Sequence, residues 1–189
     1  KNAGVFYCTI LNGHETNTGS RYPIMLCGYD ENYEGLTAPQ GFFLYAIGNY
    51  IHDDEPWWEG IDAHGGDTLY VAHNIIKNIA TPLSIFTNSN RGFTVRNAWI
   101  HGNMCLAPLQ QTENPSTLYG NSFGGNGLYI YNNFFRNGGK AYQTNDSCGV
   151  YLNAGRPIRF YDNVVSNSHS RGIALYGTYA ASLLKDNEI

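Results

Sequence analysis

The stretch Leu128-Tyr-Ile-Tyr-Asn-Asn133-Phe-Phe-Arg-Asn137 decides how this chain folds, because its pattern does not occur only once. The same order (apolar, any, apolar, two turn residues, Asn, apolar, apolar, any, Asn or Asp) returns at Leu69-Tyr-Val-Ala-His-Asn74-Ile-Ile-Lys-Asn78. It returns again at Ile158-Arg-Phe-Tyr-Asp-Asn163-Val-Val-Ser-Asn167, and Leu44 through Asn49 to Asp53 is a fourth copy. Phe93 to Gly102 reads as a weaker copy with Ala98 in the Asn position, and a last copy is entered at Asn187. The anchors then fall at 49, 74, 98, 133, 163 and 187, an unpadded spacing of 24 or 25 residues that lengthens wherever a loop is inserted.

Each copy is followed by a second short apolar stretch: Gly60-Ile-Asp-Ala, Pro82-Leu-Ser-Ile, Gly149-Val-Tyr-Leu and Gly172-Ile-Ala-Leu. One period therefore holds about three short strands and tight turns, with no room for a helix. Strands stacked about 4.8 Å apart place equivalent positions above one another, so alternate apolar residues form continuous inward stacks. Asn suits the sharp bends because it tolerates left-handed backbone and bonds its own main chain, and stacked Asn amides bond one another along the axis. The expected fold class is all-β: a right-handed, single-stranded parallel β-helix, a solenoid of about seven rungs. Residues 1–189 form one such domain. A propeller blade needs a longer period, and a sandwich would not repeat.

From about residue 41 onward the repeat resembles that of the pectin-lyase-like superfamily, whose members include pectate lyases, polygalacturonases, alginate epimerases and lyases, and phage tailspikes. The resemblance implies a polysaccharide as partner and an extracellular, cell-surface or virion setting. It speaks more strongly for fold than for chemistry. Phage-type spikes are often trimeric, so it also implies a homotrimer as one assembly. Asp186 to Ile189 sit inside a rung and the chain opens on Lys1, while solenoid ends need capping. A coil incomplete at one or both ends, continued by a longer chain or covered by a partner, is the expectation.

Composition narrows the partners. A net charge of −4 and no run of Lys or Arg argue against nucleic acid. No apolar stretch reaches membrane-spanning length, which argues against membrane insertion, and no signal-peptide pattern opens the chain. With 22 Gly, 15 Tyr and 9 Phe the chain favours pleated surfaces over helices. Cys8, Cys27, Cys105 and Cys148 lack metal-ligand spacing and read as buried free thiols, with a Cys8–Cys27 bridge as the alternative.

Aligning the second strands at their leading Gly or Pro orients their side chains. Ile61 and Ala63 align inward with Val150 and Leu152 and with Ile173 and Leu175, so Asp62 and His64 point outward. Their outward columns read Met25, Ser84, Tyr151, Ala174 and Cys27, Phe86, Asn153, Tyr176. Asp62 and His64 are two residues apart on one face, with Cα atoms about 6.5–7 Å apart, within reach of one sugar ring. The surrounding stretch, Trp57-Trp58-Glu59-Gly60-Ile61-Asp62-Ala63-His64-Gly65-Gly66-Asp67, sets indoles beside carboxylates. Rings of that kind cover the apolar face of a pyranose while polar groups take its hydroxyls. The candidate catalytic residues are Asp62, His64 and Glu59; Trp57, Trp58, Phe86, Tyr151, Tyr176 and Arg171 are the candidate substrate-binding residues. Set against this, an outward Asp or His on a solvated strand is ordinarily just solvated, and two Trp can simply pack a loop.

Other features carry less. His52, Lys77, His101 and Arg136 read as a basic outward stripe whose ordinary use is solubility and edge protection. Tyr45, Tyr70 and Tyr129 repeat on a second face and are expected to stack across rungs. Asp30, Glu31 and Glu34, and Asp53-Asp54-Glu55, offer oxygen ligands for Ca²⁺, but neither has a recognised calcium-loop spacing. Insertions at about 11–22, 28–40, 53–58 and 104–124 are the expected groove walls.

Two classes of function fit. The first is a polysaccharide-degrading enzyme. As a glycoside hydrolase it would pair Asp62 with Glu59 or Asp67. As a lyase, His64 would remove the proton next to a uronate carboxylate that Arg171 or a cation offsets. The paired-Asp and Gly-His-Gly constellation of polygalacturonases and the Trp-Ile-Asp-His signature of pectate lyases are not found, which demotes those two activities. The second class is a non-catalytic carbohydrate-binding spike, adhesin or structural solenoid such as a phage tail protein.

Overall fold

The computed structural model describes residues 2–11, 22–27, 43–86, 95–108, 116–123, 127–139, 148–154, 157–168, 171–176 and 182–189. Within its strands, the side chains of 27, 53–58, 86, 96, 121–123 and 154 lie outside that description. Among the described residues there is no helix, and every strand pairing is parallel.

Strands are numbered in chain order. One sheet runs through β1 (Asn2–Phe6), β4 (Phe43–Ile47), β6 (Gly66–Ala72), β8 (Val95–His101), β11 (Gly127–Tyr131), β14 (Ile158–Tyr161) and β17 (Leu183–Lys185). Neighbours in this sheet are one sequence repeat apart, as the motif requires. The second sheet has two arms that share their central strands, β5 (Tyr50–His64) and β7 (Ile75–Phe86). Residues 50–52 and 75–77 of those strands belong to an arm with β2 (Thr9–Leu11), β9 (Met104–Leu106), β12 (Phe134–Arg136) and β15 (Val164–Ser166). Their later residues pair instead with β3 (Ile24–Cys27), β10 (Leu118–Phe123), β13 (Cys148–Ala154) and β16 (Arg171–Tyr176). Inside β7 the change of partner begins at Asn78, which has φ 56°. Asn137 and Asn167 repeat that left-handed turn, and their amides are linked at 2.7 Å.

One apolar core joins all three strand sets. Leu44, Leu69, Ala98, Leu128 and Ile158 stack from the first sheet, Ile51, Ile76, Cys105, Phe135 and Val165 from one arm, and Ile24, Ile61, Leu83, Leu118 and Val150 from the other. Each is essentially inaccessible to solvent, and burying a Leu, Ile, Val or Phe side chain is worth about 1.5–3 kcal/mol.

The turn between the first sheet and the first arm is where the repeated Asn acts. Just before it, Tyr7, Gly48, His73, Gly102, Asn132, Asp162 and Asp186 all hold φ between 50° and 70°. Gly102 fills that left-handed position where a Cβ would also meet the His73 ring at 2.6 Å. The anchor amides then join in one ladder: Asn49 Nδ2 donates to Asn74 Oδ1 (2.9 Å), Asn74 to Asn103 (2.9 Å), Asn103 to Asn133 (2.9 Å), Asn133 to Asn163 (2.9 Å) and Asn163 to Asn187 (3.1 Å). Each Oδ1 also takes the backbone N–H of the preceding anchor, and Cys8 N–H closes the series on Asn49 Oδ1 at 3.0 Å.

The ladder corrects the sequence alignment at one repeat. The anchor is Asn103 and not Ala98, which lies in the core between Leu69 and Leu128. The successive anchor separations are therefore 25, 29, 30, 30 and 24 residues. Padding in two consecutive repeats mimics one short step and one long one. The basic stripe is corrected too. His52 and Lys77 align with Leu106 and Arg136, while His101 belongs to the other sheet, opposite Ala72 and Tyr131. Cys105 and Cys148 are buried free thiols, but Cys8 is exposed and free, so it forms no bridge to Cys27.

The expected tyrosine stack exists and is longer than expected. Tyr45, Tyr70, Trp99 and Tyr129 follow one another with ring centroids 5.4, 5.0 and 5.3 Å apart, and Arg159 covers the last ring at 5.3 Å. Two residues along the same strands, His101, Tyr131 and Tyr161 form a parallel stack at 4.8 and 5.1 Å. Asp30, Glu31, Glu34 and the side chains of Asp53, Asp54 and Glu55 lie outside the described residues.

Candidate functional site

The site lies on the outer side of the second arm, on β5. Gly60 lets β5 run close against β7, since a Cβ there would meet the Pro82 carbonyl oxygen at 2.7 Å. Ile61 and Ala63 then enter the core, and alternation directs Asp62 and His64 to the opposite side. The Cα register reproduces both columns of the alignment and completes them. Met25, Asp62, Ser84, Tyr119, Tyr151 and Ala174 align, and beside them Cys27, His64, Phe86, Asn121, Asn153 and Tyr176.

Asp62 faces away from the core and is nevertheless fully buried. Its Oδ2 lies 2.7 Å from His64 Nε2, an ion-pair contact when the imidazole is protonated. Among the described residues neither carboxylate oxygen takes a well-directed hydrogen bond, and the Ser84 hydroxyl beside it is buried in the same condition. His64 is 19% exposed, so it is the solvent-facing member of the pair.

Glu59 completes the cluster. Burial first, and then the negative charge of Asp62, push its carboxyl from an ordinary 4.5 up to about 7. The approach of the Ser84 hydroxyl and the charge on His64 offset part of that rise. The Ser84 approach stops short of a well-directed hydrogen bond. At neutral pH a substantial fraction of Glu59 therefore carries its proton, the state that a general acid needs.

No protein-family model matches this chain, and no curated protein or solved structure matches it either. The geometry has to carry the chemistry alone.

The structure brings together three of the sequence-derived residues, Glu59, Asp62 and His64. The backbones of Trp57 and Trp58 lead into them along β5, but the side chains of Trp57, Trp58 and Phe86 lie outside the described residues. Tyr151 and Tyr176 sit further along the same face. Tyr151 is 8% exposed and stacks on Tyr119 at 5.0 Å and on Tyr176 at 5.3 Å, so both its faces are already occupied. Arg171 donates to the Tyr176 hydroxyl at 3.0 Å. Its strand is four strand spacings from β5, about 19 Å. His64 and Arg171 therefore cannot act on the same sugar ring, and the elimination mechanism that paired them loses its carboxylate partner.

Two members of this face escaped the sequence reading. Tyr119 belongs to the tyrosine column, but its strand lacks the leading Gly or Pro used for alignment. Thr117 stands there instead, bonded through its hydroxyl to the Gly149 carbonyl at 2.6 Å. Ser84 was placed in the right column without a role, because nothing in a lone Ser reveals that its hydroxyl is buried beside a carboxylate. Among the described residues no group of three His, Cys, Asp or Glu is arranged to hold a metal ion. Nor do they include a helix long and apolar enough to cross a membrane.

Proposed function

We propose that this chain is a right-handed parallel β-helix of the pectin-lyase-like kind that cleaves a polysaccharide by general acid–base hydrolysis at Glu59, Asp62 and His64. What supports the architecture is the repeat-by-repeat parallel pairing around one core with a continuous Asn ladder. The observation that carries the chemistry is a Glu held protonated near neutral pH, on which the charges of Asp62 and His64 act, next to a His 2.7 Å from a buried Asp.

The roles follow from exposure. Glu59 protonates the glycosidic oxygen as the bond to the leaving sugar breaks. His64 accepts a proton from the attacking water. Asp62, sealed from solvent, is a positioning residue that fixes the orientation of the imidazole and stabilises it once protonated, as the buried carboxylate does in other Asp–His pairs. Among the described residues the charges acting on Glu59 are those of Asp62 and His64, with no Lys or Arg among them. A neutral sugar suits such a site better than a uronate, whose carboxylate would face Asp62 uncompensated. The glycan would lie along the stacked strands, past Ser84 and the tyrosine column towards Tyr176 and Arg171. An extracellular, cell-surface or virion location belongs to the same proposal.

The test is a panel of neutral and uronate polysaccharides, read for new reducing ends and for the absorbance of unsaturated ends. Reducing ends alone support hydrolysis, and unsaturated ends would replace it with elimination. One observation favours a second reading, a glycan-binding or structural solenoid. Asp62 is fully buried and Tyr151 nearly so, as expected of packing residues. Binding of a glycan from the panel with neither product would select that reading.

A further inference from the structure

Parallel pairing sets equivalent side chains of neighbouring strands side by side, so a tyrosine repeated at one position meets another about 4.8 Å away. Tyr131 on β11 and Tyr161 on β14 are such a pair, register partners whose rings lie 5.1 Å apart and within 3° of parallel. Both are half-buried, so each remains partly open to solvent. The other tyrosine contacts are less suited to chemistry between the rings. Tyr45 and Tyr70 are also parallel but wider, at 5.4 Å. In the Tyr119–Tyr151 stack, Tyr151 is 8% exposed and is covered on its other side by Tyr176. Trp99 stands between Tyr70 and Tyr129 and keeps those phenols apart. Beyond the chosen pair, Tyr131 stacks on His101 and Tyr161 has Lys185 as its next register partner. Among the described residues each of the two therefore has the other as its stacked phenol.

We propose that Tyr131 and Tyr161 are a site of oxidative modification, at which hydrogen peroxide and a haem peroxidase join them as a dityrosine staple between β11 and β14. The peroxidase takes one electron and one proton from each phenol. The two phenoxyl radicals then couple through a ring carbon next to each C–O carbon, and one C–C bond forms. The hydrogen on each of those carbons moves to its oxygen, which restores both phenols. In sum two hydrogen atoms pass to the peroxide, which leaves as two molecules of water. The stack supplies what coupling between free phenols lacks, a second radical already held against the first, and such positioning is worth orders of magnitude in rate. The staple ties two strands of a sheet in which each strand pairs only with those of the neighbouring repeats.

The experiment treats dilute folded protein with a haem peroxidase and hydrogen peroxide, maps the tryptic peptides by mass spectrometry and melts the product. The same oxidation in urea is the control. The expected product is a single chain in which the Tyr131 and Tyr161 peptides are joined and lighter by two hydrogen atoms. Its yield is roughly tenfold or more above that of any tyrosine pair the structure holds apart, and in urea that excess disappears. Tyr161→Phe keeps the ring, lacks the phenol and loses this product; should that variant fail to fold, Tyr131→Phe carries the same test. The joined protein melts higher by roughly 5–10 °C, as for other cross-links that close a loop of this size in the unfolded chain. Folded protein without the joined peptide, dityrosine formed only between chains, or an equal yield in urea overturns the proposal. A joined product that melts no higher than the parent overturns its reading as a staple.

Discussion

Replacing Asn103 with Ala removes four hydrogen bonds at one buried point. Asn103 Oδ1 accepts from Asn74 N–H (3.0 Å) and Asn74 Nδ2 (2.9 Å), and its Nδ2 donates to the Val71 carbonyl (2.9 Å) and to Asn133 Oδ1 (2.9 Å). Each such bond contributes about 1 kcal/mol net, and a buried backbone N–H left without its acceptor costs about 1–3 kcal/mol. Asn103→Ala is therefore expected to lose roughly 3–5 kcal/mol, a large share of the ~5–15 kcal/mol of an ordinary domain. Urea unfolding followed by circular dichroism reads this as a lower midpoint with an unchanged slope. Ala98→Asn is the sharper partner experiment. Ala98 is 1% exposed inside the aliphatic stack, so an amide there is buried without partners and costs about 2 kcal/mol or more. Were the ladder to pass through position 98, as the unpadded spacing suggests, Ala98→Asn would stabilise and Asn103→Ala would cost under about 1 kcal/mol. That pair of results would refute the alignment and the turn geometry derived from it.

The remaining expectations concern pH, packing and thiols. Glu59 has a folded pKa above its ordinary value, so its contribution to stability is fully present below about 4.5 and is lost as pH rises through about 7. Melts across that window should fall by up to about 3 kcal/mol of stability, and Glu59→Gln should flatten this part of the profile; an unchanged slope in the variant would contradict the shift. Trp99→Ala breaks two ring stacks, on Tyr70 and on Tyr129, and should cost about 1–3 kcal/mol in stacking while abolishing the near-ultraviolet circular dichroism of the column. Maleimide labelling of the folded protein followed by peptide mapping should modify exposed Cys8 and spare Cys105 and Cys148, whose labelling should appear only on unfolding.

Much of this fold is written in short-range pattern. The apolar alternation and the Asn at each turn predict the strand register at Leu69, Leu128 and Ile158, because a slip of one residue would turn every core side chain outward. The pattern fails at Val95 to Asn103, where Ala98 and Asn103 each suit two positions and only the hydrogen bonds of Asn74 decide between them. The outward direction of Asp62 and His64 was equally legible, since alternation follows from the backbone. Their burial was not. Solvent exposure depends on what lies over a face, and no local pattern encodes that. The same limit hid the altered titration of Glu59, which arises from burial and from a neighbour three residues away, and the placing of Ser84 beside Asp62, which depends on a strand more than twenty residues further along. Arg171 shows the converse error. The elimination reading pairs it with His64, yet four strand spacings separate them.

The most direct measurement of the central claim is reducing-end release from neutral polysaccharides by the unmodified protein and by Glu59→Gln across the pH range. The account predicts release without unsaturated ends, a fall in rate as pH rises through about 7, and a loss of at least about 100-fold in the variant, the usual scale for removing a general acid. Full turnover by Glu59→Gln on a substrate that the parent cleaves would contradict it, as would binding of those polysaccharides with no bond broken at any pH.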